Sequence, residues 1–159
     1  MSSFQDKDFH QTLPTKRMAA GCLFFNEKGE LLILDLTYKP WWGIPGGIVE
    51  KHESPKAACV REIEEEIGLV CHDLHLLCVD YLPETDARTE SLQFVFLGPV
   101  LTQADIDQIR LQPDEIGAYQ FLPPQAALSL LGNYLRRRVQ QVVERPMNSG
   151  AIYLEDGQY

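Results

Sequence analysis

Two long apolar runs of strand length stand near the start of the chain, residues 18–25 (MAAGCLFF) and 30–36 (ELLILDL). Asn26-Glu27-Lys28-Gly29 separates them, and this turn chemistry predicts a hairpin. Residues 37–47 (TYKPWWGIPGG) carry two prolines and three glycines, which predicts a loop, with a short strand near 48–50. The period then changes. Residues 55–67 read as a helix, with Ser54 as N-cap, Pro55 in the first turn and Gly68 at the left-handed position that ends it. Further strands are expected at 75–81, 92–98 and 117–122. A long helix is expected over 125–144, behind Pro123-Pro124. Residues 1–16 read as a flanking, flexible segment. In the tail, 146–159, Ala151–Leu154 can add a strand or fold over a site. Hairpins combined with two helices predict a single α/β domain over 1–159, a three-layer α/β/α sandwich with a mixed sheet between helices. The alternation is not regular enough for a doubly wound parallel sheet.

On a helical wheel, Cys59, Val60, Ile63 and Ile67 of the 55–67 helix form an apolar stripe for the core. Arg61, Glu62, Glu65 and Glu66 fall on the opposite side, with the small Ala57 and Ala58 beside them leaving room for a ligand. Glu62 lies three and four residues before Glu65 and Glu66, so the three carboxylates are neighbours. A charged helix face is usually just solvated, and paired carboxylates repel by only ~1 kcal/mol in water. Their spacing also suits a hard divalent cation, which wants several carboxylate oxygens converging on one point.

Composition narrows the function. The chain has 159 residues, 45% hydrophobic and 23% charged, ordinary values for a folded domain. A net charge of −9 argues against a nucleic-acid polymer as partner. It also means that an anionic ligand needs metal to neutralise the contact. No run is long enough for a membrane helix and no signal-peptide core opens the chain, so a cytoplasmic protein without a membrane partner is expected. Cys22, Cys59, Cys71 and Cys78 show no zinc spacing and read as reduced core thiols.

The residues upstream of the helix give the carboxylates a context. Gly47 is followed after five residues by Glu53, then after seven by Arg61-Glu62-Ile63, with Glu65-Glu66 and Gly68-Leu69 completing the pattern. This resembles the signature box of the Nudix hydrolases at every specified position. Chance occurrence of seven fixed residues at such spacings is on the order of one in a million. The likeness extends less specifically to Trp42-x-x-Pro45-Gly46-Gly47.

The resemblance implies a Nudix-type α/β/α sandwich and hydrolysis of a phosphoanhydride bond in a nucleoside diphosphate linked to another moiety. A nucleoside triphosphate, an oxidised nucleotide, ADP-ribose and a sugar nucleotide all satisfy that description. It further implies Mg²⁺ or Mn²⁺ at Glu62, Glu65 and Glu66, with Gly47 and one later acidic residue as further members of the site. Arg61 would orient the glutamates and Glu53 would fix the loop–helix geometry. Glu115 resembles the later acidic position, while Glu84, Asp86 and Glu90 compete with it. Pro83, fifteen residues past Gly68, resembles weakly a proline that hints at ADP-ribose hydrolysis. A catalytically silent nucleotide sensor on the same fold is the alternative, although every box residue is present. Related proteins are often dimers, so a homodimer is open.

Other residues read more plainly. Trp42 is expected to pack in the loop, whereas Trp41, Tyr38 and Phe25 are open as base contacts. Arg136-Arg137-Arg138 reads as a solvated face whose cations suit the end of a helix. His10, His52, His72 and His75 show no ligand spacing.

Overall fold

The two leading apolar runs form strands but do not share a sheet. In a computed structural model, which describes residues 6–159, the elements run in the order α1 (Asp6–Thr12), β1 (Arg17–Leu23), β2 (Leu31–Leu36), β3 (Trp42–Gly43), β4 (Gly46–Ile48) and α2 (Pro55–Ile67). They continue with β5 (His75–Leu82), β6 (Ser91–Leu97), α3 (Gln103–Ile106), β7 (Ile116–Leu122), α4 (Pro124–Leu130), α5 (Asn133–Val143) and β8 (Ile152–Glu155). β1 and β2 meet only beside their turn, where Phe25 bridges Leu31 and Leu32 N–H donates to Phe24 O at 2.9 Å. They then diverge. β1 joins a five-stranded mixed sheet, β4-β1-β6-β5-β8, and β2 the centre of a three-stranded antiparallel sheet, β3-β2-β7.

The physical reason lies in what each strand buries. Along β2, Leu32 and Leu34 enter one core while Leu31 and Ile33 enter the other; along β1, Cys22 and Leu23 divide likewise. A strand covered on both faces reads as a continuous apolar run and wants partners on both edges. One core lies under α2 and holds Ala58, Cys59, Ile63 and Ile67. The second lies under α4 and α5 and holds Ala127, Leu128, Val139 and Val142. Helices therefore cover both sides of the strands, and the α/β/α layering stands with two sheets in place of one. All four cysteines are free and buried.

Boundaries differ from the sequence reading, beginning with the expected 37–47 loop, where Trp42–Gly43 and Gly46–Ile48 form short strands. Residues 6–12 of the N-terminal flank are helical; its first five residues lie outside the described residues. The expected helix over 125–144 is two helices, because Leu131 takes an extended backbone (ψ 148°) and bridges Trp42. A β-carbon at Gly132 would come within 2.7 Å of the Trp41 indole, so the chain opens there to seat the tryptophan loop. The tail does add a strand: β8 runs parallel to β5, pairing Cys78–Tyr81 with Ile152–Glu155. Among the described residues no helix is long and apolar enough to cross a membrane.

Candidate functional site

α2 is fixed at both ends by its own sequence. Ser54 Oγ accepts from Ala57 N–H at 3.1 Å, a cap worth about 1 kcal/mol, and Gly68 ends the helix at φ 72° with its N–H on Glu64 O. Ile63 and Ile67 are fully buried, each contributing roughly 1.5–3 kcal/mol by transfer from water. This anchoring sets the azimuth of the acidic face. Ala58 turns into the core rather than beside a ligand, a correction to the wheel; Ala57 is exposed.

Arg61 organises the face. Its Nε donates to Glu53 Oε1 at 2.9 Å and its Nη2 to Glu53 Oε2 at 3.1 Å, a two-pronged fork. Nη2 also reaches Ile48 O at 3.2 Å, tying the helix to β4. Nη1 donates to Glu62 Oε1 at 2.8 Å and to Glu65 Oε2 at 3.1 Å. Glu53 Oε2 accepts in addition from Glu50 N–H at 3.0 Å. The Arg61 guanidinium, helped by that N–H, holds the Glu53 carboxyl below its usual range, and Glu53 in turn raises the Arg61 pKa.

Glu66 occupies different surroundings. The wheel puts it on the polar side, yet it is only 2% exposed, because β4 packs over that side with Gly46 and Gly47, whose backbone approaches with no side chain between. Its Oε2 accepts from Gly46 N–H at 2.8 Å. Its pKa is raised to about 8: burial raises it most, the Gly46 N–H pulls it down, and the charges of Glu62, Glu115 and Glu65 add to the rise. Burial likewise raises Glu62, against the pull of Arg61. Tyr38 is raised by burial and then by Glu66, Glu115 and Glu62, so its hydroxyl shares the same negative field.

Gly47 completes the arrangement. A β-carbon there would overlap the Glu62 carboxylate, so the bare backbone makes the space that carboxylate fills. The donors are all carboxylate oxygens, the set that Mg²⁺ or Mn²⁺ prefers. A buried Glu66 and a half-buried Glu62, with a glycine cradle beside them, fit a divalent cation. Among the described residues no three His, Cys, Asp or Glu side chains already close on one point. Glu62 and Glu65 are instead drawn to Arg61, and Glu66 to Gly46.

Beside this face opens a cleft of about 690 Å³. Glu66, Gly46 and Gly47 line its wall, Tyr38, Trp41 and Trp42 one part of it, and Tyr134, Leu135 and Arg138 of α5 another. A volume of this size suits a nucleotide-sized molecule.

The structure sorts the remaining expectations. Glu115 acts electrostatically on Glu66, Glu62 and Tyr38. Of its competitors, Glu90 is held by Lys16 at 2.5 Å and by Tyr81 at 2.7 Å. Trp41 and Tyr38 line the cleft, whereas Phe25 packs against the core under α5. Arg138 is not on a solvated face: it is 5% exposed, and its Nε donates to the fully buried Asp80 at 2.8 Å. Asp80 went unnoticed in the sequence. Its one signal was a carboxylate in the middle of an otherwise apolar strand.

Comparison with known proteins agrees with this geometry. A family model described as a NUDIX domain matches residues 15–142. The 8-oxo-dGDP phosphatase NUDT18 of Mus musculus is 32% identical over 98 residues, covering 57% of this chain and 29% of that protein. An ADP-ribose pyrophosphatase of Methanocaldococcus jannaschii is 39% identical over 64 residues, covering 40% of this chain and 38% of that protein. The chain thus spans well under half the length of these curated relatives. A MutT NUDIX hydrolase from Burkholderia pseudomallei superposes with a TM-score of 0.65 at 26% identity, over 81% of this chain and 99% of that one.

Proposed function

Since the chain belongs to the NUDIX family, we propose that it hydrolyses a phosphoanhydride bond in a nucleoside diphosphate derivative, with a divalent cation held at Glu62, Glu65 and Glu66 and joined by Glu115. One observation carries this reading. The Glu66 carboxylate is buried in the wall of a nucleotide-sized cleft, beside Glu62 and Glu115, where its own charge is disfavoured. Such a cluster is costly in an isolated protein and favourable once a cation sits in it.

A bound cation supplies water activation and neutralisation of the charge that builds on the phosphoryl oxygens. The chain's residues do the rest. Arg61 holds Glu62 and Glu65 in place, and Glu53 holds Arg61. Gly46 N–H fixes one oxygen of Glu66 and leaves the other for a ligand. Trp41, Trp42 and Tyr38 offer flat apolar surface to the nucleoside and exclude water from the cleft. Substrates of this class include 8-oxo-dGDP and ADP-ribose, which the names of the two curated relatives specify for those proteins.

The test is a panel of nucleoside triphosphates, oxidised dGTP and dGDP, ADP-ribose and sugar nucleotides, incubated with Mg²⁺ and analysed by product mass. Cleavage at a phosphoanhydride is expected, abolished by EDTA and by Glu66→Gln. Tight binding without turnover across the panel would point instead to a nucleotide sensor.

A further inference from the structure

The end of the cleft under α5 carries a feature that phosphoanhydride chemistry does not use. Arg138 is nine-tenths buried and lines the cleft, its Nε on Asp80 Oδ2, yet its Nη2 is buried without a hydrogen-bond partner. A buried N–H left unmade costs roughly 1–3 kcal/mol, so the site is poised for an acceptor. Asp80 is itself engaged at both oxygens, its Oδ1 accepting from Gly157 N–H at 2.9 Å. The Asp80–Arg138 pair is charge-balanced, so the free arm offers a donor to a neutral acceptor in preference to a second anion. Gln93 is the cross-strand partner of Asp80, so the two side chains leave the sheet on the same face. Its Nε2 donates one N–H to Ser91 Oγ at 3.0 Å, which orients the amide with its carbonyl oxygen away from Ser91 as an acceptor. Around these groups the cleft walls are apolar, with Trp42 and Leu135 among them.

We propose that Arg138 and Gln93 read the keto edge of a heteroaromatic base, making this cleft selective for 6-oxopurine and 4-oxopyrimidine nucleotides over their amino counterparts. A keto edge pairs a carbonyl acceptor with a ring N–H donor, which complements a guanidinium donor and an amide oxygen. An amino edge reverses both and leaves Arg138 Nη2 facing an N–H. Asp80 is a positioning residue: it fixes the fork so that Nη2 stays available. The inference rests on the cleft being the nucleoside site proposed above, but not on catalysis.

Binding of matched nucleoside monophosphates to the full-length protein separates the two. IMP against AMP, and UMP against CMP, differ at the edge in question and contain no anhydride to cleave. Calorimetry is expected to show IMP and UMP binding about tenfold or more tighter than AMP and CMP. The preference should collapse to within about threefold in Arg138→Lys, which keeps the charge on Asp80 but lacks the planar fork. Asp80→Asn/Arg138→Met, which leaves no unpaired buried charge, should behave alike, so loss of folding in one variant leaves the other to decide. Equal binding of the pairs by the wild type, or a preference that survives in the folded variants, overturns the assignment. Either result leaves the hydrolysis panel to be judged on its own.

Discussion

Gly47 and Glu62 are complementary: the carboxylate of Glu62 occupies the volume that any β-carbon at Gly47 would take. The obstacle is the flexible end of a side chain, so Gly47→Ala moves Glu62 rather than unfolding the domain. Gly46 is a different case. It sits at φ 151°, and a β-carbon there would run into the backbone of Ala20 and Gly21. Gly47→Ala should therefore lose about tenfold or more in kcat with a Tm within a few degrees of wild type, whereas Gly46→Ala should lose several kcal/mol of stability. Thermal melts beside steady-state kinetics check this. A Gly47→Ala protein with full activity would remove Glu62 from the site.

Arg61 acts through the glutamates it holds. Arg61→Lys keeps a cation but cannot contact Glu53, Glu62, Glu65 and Ile48 O together. Changes of this outer kind typically cost 10–100-fold in metal affinity or activity. The expected outcome is a Mg²⁺ requirement raised by roughly that factor, measured as activity against Mg²⁺ concentration. An unchanged Mg²⁺ curve would show that the carboxylates are placed without it.

Glu66 makes the metal-free protein pH-sensitive. Its folded-state pKa, raised to about 8, exceeds its usual value of 4.5, so the folded chain holds a proton that the unfolded chain has released. Its contribution to stability is complete below pH 4.5 and is lost as pH climbs through about 8. The loss is on the order of a few kcal/mol. In EDTA, Tm should fall between pH 6 and pH 8, and Glu66→Gln should flatten the slope. Mg²⁺ favours the ionised form, so its stabilising effect should be larger at pH 8 than at pH 6. Equal Mg²⁺ shifts at both values would contradict a cation at Glu66.

Glu115 is the loop carboxylate that shares the field of Glu66 and Glu62. Glu115→Gln should weaken Mg²⁺ activation about tenfold or more, at least the scale of a lost outer partner. Glu84→Gln and Glu90→Gln should leave it unchanged, since Glu90 is committed to Lys16 and Tyr81. Magnesium titrations of the three variants decide the matter, and an effect confined to Glu84→Gln would reassign the position.

Much of this protein was legible where its determinants are local. The 55–67 helix with its caps, the neighbouring Glu62, Glu65 and Glu66, and the NUDIX assignment all follow from one short stretch, because capping and helical spacing act over a few residues. The glycine at 132 was also visible, but a lone glycine does not tell a tolerated helix residue from a break; Trp41, distant in sequence, settles it. The hairpin reading of β1 and β2 was right at the turn and stopped there, since strand partners are chosen by long-range burial.

What only the tertiary structure decided is which charges leave water. Glu65 and Glu66 are adjacent in the chain, yet Glu65 is half exposed while Glu66 is buried under β4. Arg138 looked like one of three solvated arginines until Asp80, 58 residues earlier, drew it inside. The sequence set the kinds of groups and their spacing along each element. Desolvation, which sets what a carboxylate or a guanidinium does there, depends on segments brought together only when the two sheets and their helices close around the cleft.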